Sequence, residues 1–215
     1  MAPILWSNLP YLLKGAVITL WLSLIVVTLG NLLGAVLGVV ATSAAPFARR
    51  MIEAYIFVLR GIPVLVVMLI GYYTFPALGF RVNAYVAVAS AQIIYISAFV
   101  AEIVRSAIQS VPQGQVAAAR SLGMRRGKIL RQVILPQATR IAIAPLLNNS
   151  LTAIKQTSYV SVVGVWELTY AAREVVERTL ASFQIFLGVM AIYFVICYPL
   201  SLLARWSEER SRVAH

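Results

Sequence analysis

The sequence predicts an all-α membrane protein with five transmembrane helices, its N-terminus outside and its C-terminus inside. Three observations carry that prediction. Of 215 residues, 61% are apolar and only 12% are charged, and the mean hydropathy of +0.87 excludes an ordinary water-soluble globule. Long stretches lack Asp, Glu, Lys and Arg: Gly15–Ala48, Gly61–Phe80, Val82–Ala101 and Thr179–Ala204, with a shorter one at Ile141–Ile154. The remaining charge is lopsided, 18 Lys and Arg against 7 Asp and Glu. In so apolar a chain that excess suits loops on an anionic leaflet rather than nucleic acid.

About 20 helical residues cross a hydrocarbon core roughly 30 Å thick, so four of these stretches span unaided. The fourth in chain order reaches that length if it begins near Pro136, a favourable first-turn residue, and runs to Thr157 with Arg140 and Lys155 near its ends. The expected spans are therefore approximately 15–45, 53–77, 82–105, 136–157 and 179–204 of a single membrane domain, 1–215. With the N-terminus outside, Arg49, Arg50, Arg105, Arg120, Arg125, Arg126, Lys128, Arg131, Arg140, Arg205, Arg210 and Arg212 fall inside. Lys14, Arg81, Arg173 and Arg178 fall outside. Twelve against four sets the orientation. Thr42-Ser43-Ala44-Ala45 resembles a processing site, but the apolar run before it is too long for a signal peptide and residues 1–10 carry no basic residue.

In the first span Gly30, Gly34 and Gly38 form a helix face without side chains, suited to close packing within the chain or across a dimer. Gly61-Ile62-Pro63 should interrupt the second span, because Pro63 has no N–H to donate. The connection 158–178 is expected outside, with Glu167, Glu174, Glu177, Arg173 and Arg178 solvated.

The connection between spans three and four, 110–135, is basic and reads as helix, turn, helix beneath the membrane. Ala117, Ala118 and Ala119 favour helix, Gly123 breaks it, and Leu122, Ile129, Leu130 and Val133 alternate with arginines. Physics alone allows this loop to rest on anionic headgroups or to dock a protein.

The order Ala117-Ala118-Ala119, Gly123, Val133, Leu135, Pro136 resembles the EAA loop of ABC importer permeases, EAA-x3-G-x9-I-x-LP. Ala117 replaces the usual glutamate and Val133 the isoleucine. Leu59-Arg60-Gly61-Ile62-Pro63, Ala101-Glu102-Ile103-Val104-Arg105, Ser110-Val111-Pro112-Gln113-Gly114-Gln115 and Lys155-Gln156-Thr157-Ser158 through Val163-Gly164-Val165 resemble further motifs of the polar amino-acid branch. The resemblance covers roughly residues 10–205. It implies a permease subunit in a bacterial inner membrane, paired with a second permease copy or a similar permease chain. It also implies cytoplasmic ATPase subunits that hold ATP and Mg, and an extracytoplasmic binding protein that delivers the amino acid. Ala117, Ala118, Ala119, Gly123, Leu135 and Pro136 would then form the coupling helix and its hinge, with Ala118 and Ala119 allowing a partner backbone to approach.

Catalysis within this chain is not expected. Gly123-Met124-Arg125-Arg126-Gly127-Lys128-Ile129 lacks the spacing and hydroxyl residue of a phosphate-binding loop. The one histidine is His215 and the one cysteine Cys197, which excludes a His/Cys metal cluster. Glu102 is the acidic residue lying within a predicted span rather than at its first position, and it either pairs with Arg105 one turn away or faces a cavity and holds the substrate ammonium. Gln92, Asn148 and Thr157 supply donors and acceptors suited to a zwitterion. Lys155 either neutralises the substrate carboxylate or extends to the outer interface. An ion-coupled secondary carrier using Glu102 is the alternative function, and the EAA-like loop argues against it.

Overall fold

The computed structural model describes residues 2–43 and 45–213; Ala44 of the small-residue stretch and His215 lie outside the described residues. The order of elements is α1 (Ala2–Ser43), α2 (Pro46–Gly61), α3 (Val64–Ala77), α4 (Ala84–Gln109), α5 (Gln113–Ser121) and α6 (Arg126–Ile129). A π-turn (Leu130–Ile134), α7 (Leu135–Gln156), a 3-10 segment (Thr157–Val163), α8 (Leu168–Thr179) and α9 (Ser182–Val213) follow. Among the described residues there is no strand. Helices α1, α4 and α9 are each long and apolar enough to cross a membrane, and the bent pair α2–α3 makes a fourth candidate.

Helix α1 begins well before the expected span, and its 42 residues extend about 63 Å, twice the hydrocarbon thickness. Its glycine face packs within the chain, against α4. A Cβ at Gly34 would lie 2.5 Å from Val100 Cβ and 2.6 Å from the Ser97 carbonyl, and one at Gly38 2.7 Å from the Ala101 carbonyl. Only glycine permits so close an approach.

Helix α4 is the hub. Asn83 caps it by accepting from the Tyr85 N–H at 2.8 Å, and Val88, Ala98, Val100 and Ala101 are wholly or almost wholly buried. Around it Leu22 and Val26 of α1, Met68 of α3, Ala153 of α7 and Val160 form the central core. A second core, beside the start of α1, joins Leu12, Leu168, Val175 and Ile185; a third, beside the end of α4, joins Ile108, Val111, Ala138 and Ala142.

The stretch 53–77, expected as one span, is two helices meeting at 107°. Ile62 and Pro63 are extended at the break, with φ −107° and −60°. Pro63 lacks the N–H that would continue the ladder. The second amphipathic stretch of the basic loop is likewise not separate from the helix expected as the fourth span. Helical structure runs unbroken from Arg126 to Gln156, and Pro136 is accommodated by the π-turn, where the Leu135 N–H reaches back five residues to the Leu130 carbonyl.

Candidate coupling surface and translocation path

Helix α5 follows Pro112 and ends where Gly123 takes φ +74°, a left-handed conformation that suits glycine. The Met124 N–H donates to the Ala119 carbonyl and the Gly123 N–H to Arg120, closing the helix end. Ala117 and Ala118 are exposed, whereas Ala119 is buried. The small outward pair is therefore Ala117–Ala118, not Ala118–Ala119 as the loop sequence suggested, because Ala119 turns to its own chain. Beside this pair stand Leu122, 81% exposed, and the exposed Arg120, Arg125, Arg126 and Lys128. Gln137 Nε2 donates both to Gln115 Oε1 and to the Val133 carbonyl, tying α5 to the base of α7. Leu135 packs on the core of Ile108, Val111, Ala138 and Ala142, and Pro136 is exposed beside it.

The five path residues divide among three places. Gln92 is fully buried on α4, its Nε2 donating to the Ala153 carbonyl at 3.1 Å while its Oε1 has no partner. Thr157, also fully buried, donates to the Ile154 carbonyl at 2.7 Å and lies 3.5 Å from Ser23 Oγ of α1. Both belong to a polar seam joining α1, α4 and α7. Asn31, which donates to Ser150 Oγ at 3.2 Å, extends it.

Glu102 sits in the C-terminal part of α4 and is held by two cations. Arg105 contacts it with two nitrogens at 2.8 and 2.9 Å, and Arg60 of α2 stands 3.8 Å away, its guanidinium over the Phe99 ring. Arg105 also donates to Gln109 Oε1 at 3.1 Å.

Asn148 and Lys155 share a third place, the exposed face of α7, with Thr152 between them. Asn148 Nδ2 donates to Glu208 Oε1 of α9 at 2.9 Å. Lys155 opens onto a cavity of about 330 Å³ between α7 and α9, lined also by Leu151, Met190, Tyr193, Cys197 and Tyr198. The α9 residues of this cavity escape sequence reasoning, since a lone cysteine and scattered tyrosines in an apolar helix carry no spacing signal. Arg60 was readable only as part of a motif, and its contact with Glu102 depends on the α2–α3 bend.

At the start of α8 Glu167, expected to be solvated, has no exposed surface. Its carboxylate caps α8 by accepting from the Tyr170 N–H at 2.9 Å, and it also accepts from Thr19 of α1 at 3.1 Å and Tyr193 of α9 at 3.2 Å. Burial pushes its carboxyl above the usual glutamate range, opposed in part by those donors. Glu174 is also engaged, accepting from the Tyr11 hydroxyl and from Trp166 Nε1.

Known proteins resemble this chain along nearly its whole length. The chain resembles the probable glutamine ABC transporter permease protein GlnM of Bacillus subtilis, at 35% identity over 96% of both chains. It resembles the glutamine transport system permease protein GlnP of Escherichia coli K12 at 32% identity, over 97% of this chain and 96% of that one. In backbone it matches a chain of a solved structure, described as the crystal structure of an amino acid ABC transporter with histidines, with a TM-score of 0.89 and 35% identity over 96% of both. The profile of binding-protein-dependent transport system inner membrane components matches residues 30–213. Likeness in sequence and backbone along nearly the whole chain means that it belongs to that family, the non-enzymatic permease subunits of ABC transporters.

Proposed function

We propose that this chain is the permease of an importer for a polar amino acid with a single ammonium group, that it crosses a bacterial inner membrane five times with its N-terminus outside, and that it works as a dimer. The observation that carries this reading is the construction of α7. At its inner end Gln137 ties it to α5, and farther along the same helix exposes Asn148, Thr152 and Lys155. Polar and charged groups exposed on a membrane helix face water or another protein rather than acyl chains. The stripe therefore suits a path completed by a second permease. The α5 surface, with Ala117 and Ala118 outward and Gly123 turning the chain, suits a cleft on an ATPase subunit that carries ATP and Mg. Movement of α5 would pass through the Arg126–Gln156 rod into the stripe. An extracytoplasmic binding protein would load the outer side. The ion-coupled carrier is set aside by membership of the ABC permease family.

Within the path we assign substrate contact to Lys155 and Asn148, with Lys155 Nζ facing the carboxylate of the amino acid. Gln92 and Thr157 hold the seam along which α7 meets α1 and α4. Glu102 braces α4 against α2 through Arg60. The test is ATP-dependent uptake in vesicles holding this permease with its ATPase and binding protein, offered labelled glutamine, glutamate or arginine. Glutamine or glutamate import above arginine supports the reading; preferred import of arginine, or none of the three, contradicts it.

A further inference from the structure

Helix α2 has three faces, one packed on α4, one charged and touching α4 through Arg60, and one apolar and open. One packs inward: Ile56 is buried, and the Tyr55 hydroxyl donates to the Ile94 carbonyl of α4 at 2.6 Å. Round the helix from it lies a charged face of Arg49, Arg50, Glu53 and Arg60, in which Arg49 and Glu53 pair at 2.8 Å. The third face is apolar and open, with Phe47 76%, Met51 57% and Val58 52% exposed. Helix α3 runs along α4, where a Cβ at Gly71 would lie 2.4 Å from Ala91 Cβ, so it follows the bundle. The 107° bend then lays α2 nearly across the bundle axis.

We propose that α2 is an interfacial helix, its Phe47–Met51–Val58 face sunk into the acyl chains of the inner leaflet and Arg49 and Arg50 against the phosphates of anionic phospholipids. The depths agree. The 14 residues of α3 cover about 21 Å of a hydrocarbon core of about 30 Å, leaving roughly the 5–10 Å to which interfacial helices sink. The charge agrees as well: three arginines stand against one glutamate on the polar side of the helix, turned away from the apolar face, the pattern that anionic headgroups attract. Through Arg60 and Glu102 the helix is also joined to α4.

The experiment uses the full chain with Cys197→Ser and one new cysteine at a time, Met51→Cys, Glu53→Cys or Val58→Cys, labelled with a fluorophore in nanodiscs of mixed phosphatidylglycerol and phosphatidylcholine. A phospholipid carrying a nitroxide near the glycerol end should quench positions 51 and 58 alike, within about twofold, while a water-soluble quencher reaches 53. An upright helix would instead place 51 and 58 about 10 Å apart in depth, and that gradient overturns the proposal. So does failure of both quenchers at 51 and 58, the signature of a second copy covering the face. A matching arm measures spin-labelled phosphatidylglycerol held by the chain. Replacing Arg49 and Arg50 by glutamine should weaken it about fivefold for each arginine, with spin-labelled phosphatidylcholine unchanged. Equal loss of both lipids, or displacement by inorganic phosphate, overturns the headgroup assignment.

Discussion

Gly123 separates the cost of folding the basic loop from the cost of docking it. Its φ of +74° belongs to the left-handed region, where a residue with a Cβ loses about 1–2 kcal/mol. Nothing lies within 4 Å of a Cβ built there, so neither alanine nor glutamate meets an obstacle inside the chain. Gly123→Ala and Gly123→Glu should therefore bear the same backbone cost. For a protein of this size about 2–4 °C of melting temperature is lost per kcal/mol, so both variants should melt a few degrees low and within error of each other. They should part in function. A carboxylate forced into a protein interface without a partner costs several kcal/mol, and each 1.4 kcal/mol is about tenfold, so ATP-dependent uptake by Gly123→Glu should fall at least about tenfold below Gly123→Ala. Uptake in vesicles and thermal unfolding of the same preparations decide the matter. Equal uptake by the two variants would refute the claim that this turn faces a partner.

Lys155→Met should raise the half-saturating concentration of a single-ammonium amino acid by about tenfold or more, the worth of a charge-assisted hydrogen bond, with Lys155→Arg closer to the parent; unchanged uptake kinetics would remove Lys155 from the path. Gly34→Leu should destabilise the chain by about 1–3 kcal/mol, because the atoms it meets are Val100 Cβ and the Ser97 carbonyl rather than the flexible end of a side chain, and an unchanged melting temperature would contradict the α1–α4 packing. Glu167 binds its proton more tightly in the folded than in the unfolded chain, so its contribution favours folding below the ordinary glutamate pKa and is lost as pH rises through the raised folded value. Melting temperature against pH should therefore decline less steeply across that window in Glu167→Gln than in the parent, and identical slopes would count against the buried carboxylate.

What could be read from residues alone depended on how local the cause was. The glycine face of α1 was legible because spacing of four is a property of one helix, and the interruption at Gly61–Pro63 because proline removes its own donor. The angle of that interruption was not, since it is set by Tyr55 and Arg60 finding partners on α4. Pro136 suggested a helix start; the π-turn that lets the helix pass through it is an adjustment of five residues that composition does not announce. Ala117, Ala118 and Ala119 were legible as a small surface, but which two face outward follows from the packing of Ala119 into its own chain. Glu167 was misplaced for the same reason: its burial is decided by Thr19, 148 positions earlier, and Tyr193, 26 later. Lys155 and Asn148 were legible as polar residues in an apolar setting, whereas their separation from Glu102 and Gln92 required the helices to be assembled.

The most direct measurement of the coupling surface is cross-linking to the ATPase subunit in the assembled transporter, using the chain with Cys197→Ser and single cysteines at 117, 118, 119 or 122. Strong cross-links from 117, 118 and the exposed 122, with little from the buried 119, are predicted. Cross-links as strong from 119 as from 118, or none from any of the four, would contradict the account.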